Sequence, residues 1–432
     1  MKFIHTSDWH LGNTMHDIDR TNEASAFLEW LRNEIDTAGA QALVVAGDIF
    51  DVVNPSNVAK SQYYRFLASL LTTNCKNVVV VGGNHDSGAL LDAPSEILEA
   101  LNIKVVGSIN NRKIEDMVFV LKGSDGEPIG VCCAVPFMRD MELEQFYKLG
   151  EDSGDSSDDE NLLKRLYSDV YQRALEVRGD RKIPIIATGH LYARGLSGRE
   201  NECVSESMEM GSDGATDDGV REVVGTLGSV DVSAFPADLD YVALGHIHYA
   251  TNVADNPKVW YSGSPFVMGF DEANYNRYVF EVDSEAGCLP SIQRVVVPQA
   301  IRFEQYKGDL DTLKKKLRAL EAELLVSGEE TYVDLLLTSG EFVNLTAALE
   351  VEEKDKHFVV KRHRLARDIL RKGVSGIDDA VESTKQYNKE DYFKMLIAKN
   401  MKESSDSEQV SAQYEKFIGL FNEAVNKAHE KA

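Results

Sequence analysis

Five short stretches carry side chains able to bind a divalent cation. They are Asp8 and His10 in FIHTSDWH, Asp48 in ALVVAGD, Asn84 in VVVVGGNHD, His190 in IIATGH, and His246 with His248 in YVALGHIH. Three Asp or Asn oxygens and four imidazole nitrogens form a mixed set that suits Mn²⁺, Fe²⁺ or Zn²⁺, whereas Mg²⁺ and Ca²⁺ favour oxygen alone. No cysteine stands at these positions, which argues against a structural zinc site. A single carboxylate touching two ions, for which Asp48 is the candidate, would hold them about 3.5–4 Å apart, the spacing of two-metal hydrolytic centres.

Each stretch has a bland reading. A lone GxH, GNH or DxH at a strand end is more often packing than a ligand. Seven such groups buried together without cations would be costly to satisfy, and this tips the balance towards a metal centre. His5, His16, His357, His363 and His429 lack the same context and read as structural or surface residues. Cys132 and Cys133, inside an apolar run, read as core.

The elements that must position these groups follow from the apolar pattern. Phe3–Thr6, Ala42–Val45, Val78–Val81, Ile183–Ala187, Tyr241–Leu244 and Val259–Tyr261 read as strands, several of them continuous enough to be covered on both faces. Asn22–Ile35 and Ser61–Leu71 show helical spacing. The alternation is that of an α/β domain, and ligand sites in such sheets lie at the carboxyl ends of strands. Extended backbone at Asp8-Trp9-His10 and His246-Ile247-His248 would send each ligand pair to one side and Trp9 and Ile247 into the core. Gly47, Gly83, Gly189 and Gly245 precede ligands, where a small residue permits close approach.

Residues 151–160 and 193–220 are acidic and rich in Gly and Ser, and read as exposed loops. After about residue 300 the pattern becomes a helix (Asp309–Leu325), a strand (Tyr332–Leu337), a helix (Glu341–Glu350) and a basic strand (His357–Leu365), which together make a small α/β domain. Two more helical stretches follow, Lys389–Lys399 and Glu408–Lys427, the second with an apolar face. The expected division is 1–300, 301–373 and 374–432.

A chain of 432 residues exceeds one ordinary domain. No apolar run suits a membrane span and no signal peptide is evident, so a cytoplasmic protein is expected. Five scattered cysteines without a CxxC pair point the same way. The net charge of −25 falls almost wholly on residues 1–300. A protein this acidic does not grip a polyanion by its overall field.

The set DWH, GDIFD, GNHD, GH and GHIH, in that order, resembles the calcineurin-like metallophosphoesterases. SDWHLG, AGDIFD, ATGHLYARG, ALGHIHYA and YSGSPFVMGFDE are similar to the SbcD family of bacterial nuclease subunits. The resemblance implies an αββα sandwich of two mixed sheets, a small α/β capping domain, and a C-terminal helical region that docks on an SbcC-type ATPase. It also implies a homodimer within a heterotetramer that acts on DNA in repair and recombination. By this likeness Asp8, His10, Asp48 and His248 hold a first divalent ion, most commonly Mn²⁺, and Asp48, Asn84, His190 and His246 hold a second. His85 is the implied catalytic histidine. Asp51 falls where some phosphatases of the class pair a carboxylate with it. DNA binding would draw on the basic stripe Lys361, Arg362, Arg364, Arg367, Arg371 and Lys372, or on the partner. The alternatives are a small-substrate phosphodiesterase or phosphatase, and a DNA-end-tethering subunit with secondary catalysis. The motifs fix the metal centre and not what is brought to it.

Overall fold

Every residue of Ala42–Ala46 and Asn77–Val81 is buried. Successive side chains of a strand point to opposite faces, so these strands serve two cores. Phe3, Val44, Val79 and Val81 join one cluster, while Ile4, Leu43, Val45, Val78 and Val80 join another with the helices Thr21–Thr37 and Asn57–Leu70. The structure is a computed structural model and describes residues 1–148, 159–194, 230–338 and 356–365.

The first sheet runs in the order Ser291–Val296, Tyr278–Asp283, Lys2–Thr6, Ala42–Ala46, Asn77–Val81, Ile103–Val106. Its last four strands are parallel and its first two antiparallel. The second sheet runs Thr251–Asn252, Val259–Tyr261, Tyr241–Gly245, Ile185–His190, Pro128–Cys133, Val118–Lys122, with antiparallel strands at both edges. Between the sheets lies the larger core, where Phe3 meets Tyr241 edge-to-face at 5.5 Å. Helix Asp159–Arg178 packs Leu163, Leu166, Tyr167, Val170 and Ala174 against the second sheet. The layers are therefore helix, sheet, sheet, helix, and both sheets are mixed as expected. The strand expected at Ile183–Ala187 starts at Ile185 and continues through His190, so that candidate ligand is itself a strand residue. Cys132 and Cys133 are fully buried.

His5 ties the two sheets together. Its Nε2–H donates to the Leu244 carbonyl (3.2 Å) and its Nδ1 accepts from the Tyr241 hydroxyl (2.9 Å). Burial pushes this imidazole down to about 3, against the opposing pull of the Leu244 carbonyl.

A third sheet joins the parallel strands Arg302–Gly308 and Thr331–Leu337 and carries Phe358–Leu365 beyond them. Parallel neighbours need a crossover, which helix Leu310–Ser327 supplies. Asp309 caps it by accepting from Thr312 N, left-handed Gly328 ends it, and Leu313, Leu317, Leu320 and Leu324 form its buried stripe. Met1–Arg364 forms one compact unit. The helices expected at Glu341–Glu350, Lys389–Lys399 and Glu408–Lys427 lie outside the described residues, as do most of the two acidic loops. Among the described residues no helix is long and apolar enough to cross a membrane.

Candidate metal centre

All five stretches meet at the carboxyl ends of the central strands. Past Thr6 and Ala46 the parallel pairing continues through the loops: Asp8 N donates to Gly47 O (3.0 Å), His10 N to Asp48 O (3.0 Å) and Leu11 N to Ile49 O (2.9 Å). The backbone there is not extended, contrary to expectation. Asp8, His10, Asp48 and His246 have φ of 54°, 44°, 51° and 99°, a region that costs a non-glycine residue about 1–3 kcal/mol. The ligand pairs still share a side because the residues between them are anchored. Trp9 is fully buried against Phe27 and Phe66 with Nε1 donating to Thr6 Oγ1 (3.0 Å), and Ile247 is fully buried too.

The seven side chains form one connected cluster. Donor atoms of Asp8, His10 and His248 lie within 4.8 Å of one another, as do those of Asp8, Asp48 and His190. Asp48 Oδ2 stands 3.3 Å from His190 Nε2 and 3.6 Å from His10 Nε2. Asn84 Oδ1 faces His190 Nε2 at 2.9 Å and His246 Nδ1 at 3.0 Å, while His246 N donates to Asp8 Oδ1 (2.9 Å). This closeness needs bare backbone. A Cβ on Gly83 would sit 2.1 Å from Asp48 Oδ1, and one on Gly245 2.0 Å from the Ala46 carbonyl oxygen.

Both ring nitrogens of His10 are buried with no hydrogen-bond partner. An imidazole desolvated in this way is costly unless a ligand completes it. The mixed oxygen and nitrogen donors and the shared Asp48 fit a pair of divalent transition-metal cations. Residues 1–250 match the calcineurin-like phosphoesterase family.

The chain belongs to that family. The SbcD component of the SbcCD nuclease from Escherichia coli K12 is 33% identical over 383 residues, spanning 85% of this chain and 86% of the relative. The corresponding protein of Rhodobacter capsulatus is 31% identical over 67% of this chain and 68% of the relative, and that of Bacillus subtilis is 26% identical over 86% and 92%. Within the calcineurin-like phosphoesterases, the chain is thus a member of the SbcD family.

Electrostatics of this phosphoesterase rim centre on Asp48. Burial pushes its carboxyl up, but His190, His10 and His85 outweigh that and hold it well below the usual carboxylate range. Burial lowers His190, yet Asp48 beside it brings the imidazole to about 9. His190 Nδ1–H donates to the Ala46 carbonyl (2.9 Å), so the nitrogen facing Asp48 and Asn84 is Nε2. A cation held at that nitrogen would have to replace a proton. His246 is driven down to about 3 by burial and then by His190.

His85 sits exposed at the lip. Its main-chain N donates to Asp48 Oδ1 (2.9 Å) and its Nδ1–H to the main-chain oxygen of Asp51 (2.8 Å). The Asp51 carboxylate instead accepts from Asn13 Nδ2 (2.9 Å) and lies 3.4 Å from His10 Nδ1.

Two supporting acids do not stand out in the sequence. Asp86, the last residue of GNHD, accepts from the main-chain N of Ile49, Phe50 and Gly83 (2.9–3.0 Å) and so locks two ligand loops together. Burial, and then Asp48, pushes it up to about 6. Glu272 ends YSGSPFVMGFDE and stands 3.7 Å from His248 Nδ1. Burial raises its carboxyl, but Arg277 and His248 bring it down to about 2.

The basic stripe is only partly a stripe. Arg364 and Arg362 are half-buried and face the fully buried Asp334 at 3.2 and 3.6 Å, and Lys361 lies over the Tyr332 ring. Asp334 thus helps to set the place of both arginines. Arg367, Arg371 and Lys372 lie outside the described residues.

Proposed function

We propose that this chain is the nuclease subunit of an SbcCD-type complex and hydrolyses DNA phosphodiesters with two divalent cations, Mn²⁺ foremost. In this reading it acts on duplex ends as an exonuclease and on single strands or hairpins as an endonuclease, in repair and recombination. The observation that carries the reading is the convergence of seven ligand-type side chains from five strand ends, with both ring nitrogens of His10 buried there without a hydrogen bond.

Asp8, His10, Asp48 and His248 would hold one cation and Asp48, Asn84, His190 and His246 the other. Bound there, such ions supply activation of water and neutralisation of phosphate charge. The chain's own groups do the positioning. Asp48 draws the two sets together, Asn84 orients His190 and His246, and the Ala46 carbonyl fixes the ring of His190. His85, tethered at Nδ1, keeps Nε2 for the leaving sugar oxygen, to which the ring in its doubly protonated form gives a proton or hydrogen bond from Nε2–H.

The acidic first 300 residues call for added positive charge in tight duplex binding, from the basic stripe, from a partner, or from both. An SbcC-type ATPase is that partner, with residues 374–432 docking on it, the 301–373 region capping the rim, and two copies of the chain in a heterotetramer. A Mn²⁺-dependent nuclease assay tests this on linear duplex and single-stranded DNA, with the chain alone and with the ATPase. The expected result is single-strand cleavage by the chain and ATP-dependent duplex cleavage by the pair. Hydrolysis of bis-p-nitrophenyl phosphate with no DNA cleavage in either condition would favour the small-substrate reading.

A further inference from the structure

The two sets of ligands differ in what stands behind their histidines. His10 presents Nε2 to Asp48, and on the opposite edge of the ring its Nδ1 meets the Asp51 carboxylate at 3.4 Å. His248 has Nδ1 towards the Glu272 carboxylate at 3.7 Å, which leaves Nε2 for a cation. In the other set, His190 Nδ1 rests on a neutral carbonyl, and His246 Nδ1 is already turned towards Asn84.

Both carboxylates are themselves held. Asp51 accepts from Asn13 Nδ2 at 2.9 Å. Glu272 Oε2 accepts from Arg277 Nη2 (2.9 Å) and Met268 N (3.1 Å), and Arg277, almost wholly buried, donates from Nη1 to the His248 carbonyl (3.0 Å). Arg277 therefore fixes Glu272 and the main chain of His248 as one piece. A carboxylate behind a ligating imidazole sets its tautomer and orientation and raises its basicity. A carbonyl orients the ring without adding charge.

We propose that Asp51 and Glu272 are positioning residues for the first cation, through His10 and His248, and that they make it the more tightly held of the two. This rests on the two-cation reading above. It gives Asp51 a role separate from His85, whose tether is the Asp51 main chain and survives any change of the Asp51 side chain.

Mn²⁺ titration of the full chain, by calorimetry and electron paramagnetic resonance, decides the matter. Wild type should bind two ions of unequal affinity. Asp51→Asn and Glu272→Gln should each weaken the tighter site by about 10–100-fold and leave the other within about twofold. At Mn²⁺ that saturates wild type, the variants should show an isolated-ion spectrum in place of the coupled pair, and excess Mn²⁺ should restore the pair, which a misfolded site would not allow. His85→Gln should change neither affinity. Unchanged affinities in both variants, or equal weakening of both sites, would overturn the proposal. If Glu272→Gln fails to fold around Arg277, the Asp51→Asn titration decides by itself. A wild-type chain that binds no Mn²⁺ would defeat the two-cation reading itself, a result distinct from two ions bound with no effect of either variant.

Discussion

His5 and His10 leave the same strand end by opposite routes. His5 sits within Lys2–Thr6, fully buried between the sheets, with the Tyr241 hydroxyl and the Leu244 carbonyl each taking one ring nitrogen. His10 sits past the strand, 3% exposed, with neither nitrogen hydrogen-bonded and the Asp48 and Asp51 carboxylates facing them at 3.6 and 3.4 Å. Burial is nearly equal in the two places and the chemistry is not. An imidazole whose polar atoms are hydrogen-bonded is a fastener, while one desolvated among carboxylates with no hydrogen bond completed is held ready for a ligand. The same contrast extends across both regions. The inter-sheet core satisfies its few polar groups internally, whereas the rim collects carboxylates and imidazoles at positive φ and draws on fixed main-chain groups to hold them.

The contrast breaks most sharply at Asp48. Asp48→Asn keeps the shape and an acceptor for His85 N but removes the shared negative charge. If the unmet nitrogens of His10 belong to a metal centre, elemental analysis after Mn²⁺ loading should find two ions in wild type and fewer in the variant. Hydrolysis of a small phosphodiester should fall by about a thousandfold, the loss expected when several kcal/mol of cation stabilisation disappear. Two ions still bound by the variant would remove the bridging role of Asp48, and no ion bound by wild type would make the rim histidines fasteners like His5.

The candidate ligands were legible because each follows an apolar run closed by glycine or a short polar turn, a pattern repeated in five places. Their geometry was not. Nothing in Asp8-Trp9-His10 announces left-handed backbone, which tertiary hydrogen bonds to Gly47 and Asp48 impose. Asp86 and Glu272 are silent in the sequence because a single acid in a loop is ordinary, and the groups that give them meaning, Ile49 and Phe50 N–H for one and His248 for the other, are brought near only by the fold. The strand Arg302–Gly308 carries mostly polar residues and has no apolar run. Arg362 and Arg364 look like a solvent-facing stripe because Asp334, their partner, is one acid within a largely apolar strand.

His85 sharpens the comparison at the edge of the rim. It is the exposed histidine of the cluster, and its main chain, not its ring, touches Asp48. His85→Gln should therefore retain both cations while cleavage drops by about a hundredfold or more, the size of a lost general acid or charge-stabilising donor. Single-turnover cleavage under metal-replete conditions measures it, and a normal rate would remove His85 from the chemistry. Asp51→Asn, which leaves the main-chain tether intact, should not reproduce this defect once Mn²⁺ is in excess.

The smallest effect expected concerns stability, and it tests the fastener side. Folded His5 resists protonation down to about pH 3, whereas the unfolded chain takes up that proton near its ordinary 6.5. Between these values the unfolded state binds more protons, so stability contributed by neutral His5 is fully present above pH 6.5 and is lost as the pH falls towards 3. The greatest slope one such group can give is about 1.4 kcal/mol per pH unit. His5→Gln offers an amide N–H for the Leu244 carbonyl and an oxygen for the Tyr241 hydroxyl, but cannot titrate. Urea unfolding of chelator-treated protein between pH 4 and 6.5 should then show a shallower pH dependence in the variant than in wild type. Two identical slopes would mean that His5 is protonated in the folded chain, and that burial with two bonded nitrogens does not keep an imidazole neutral here.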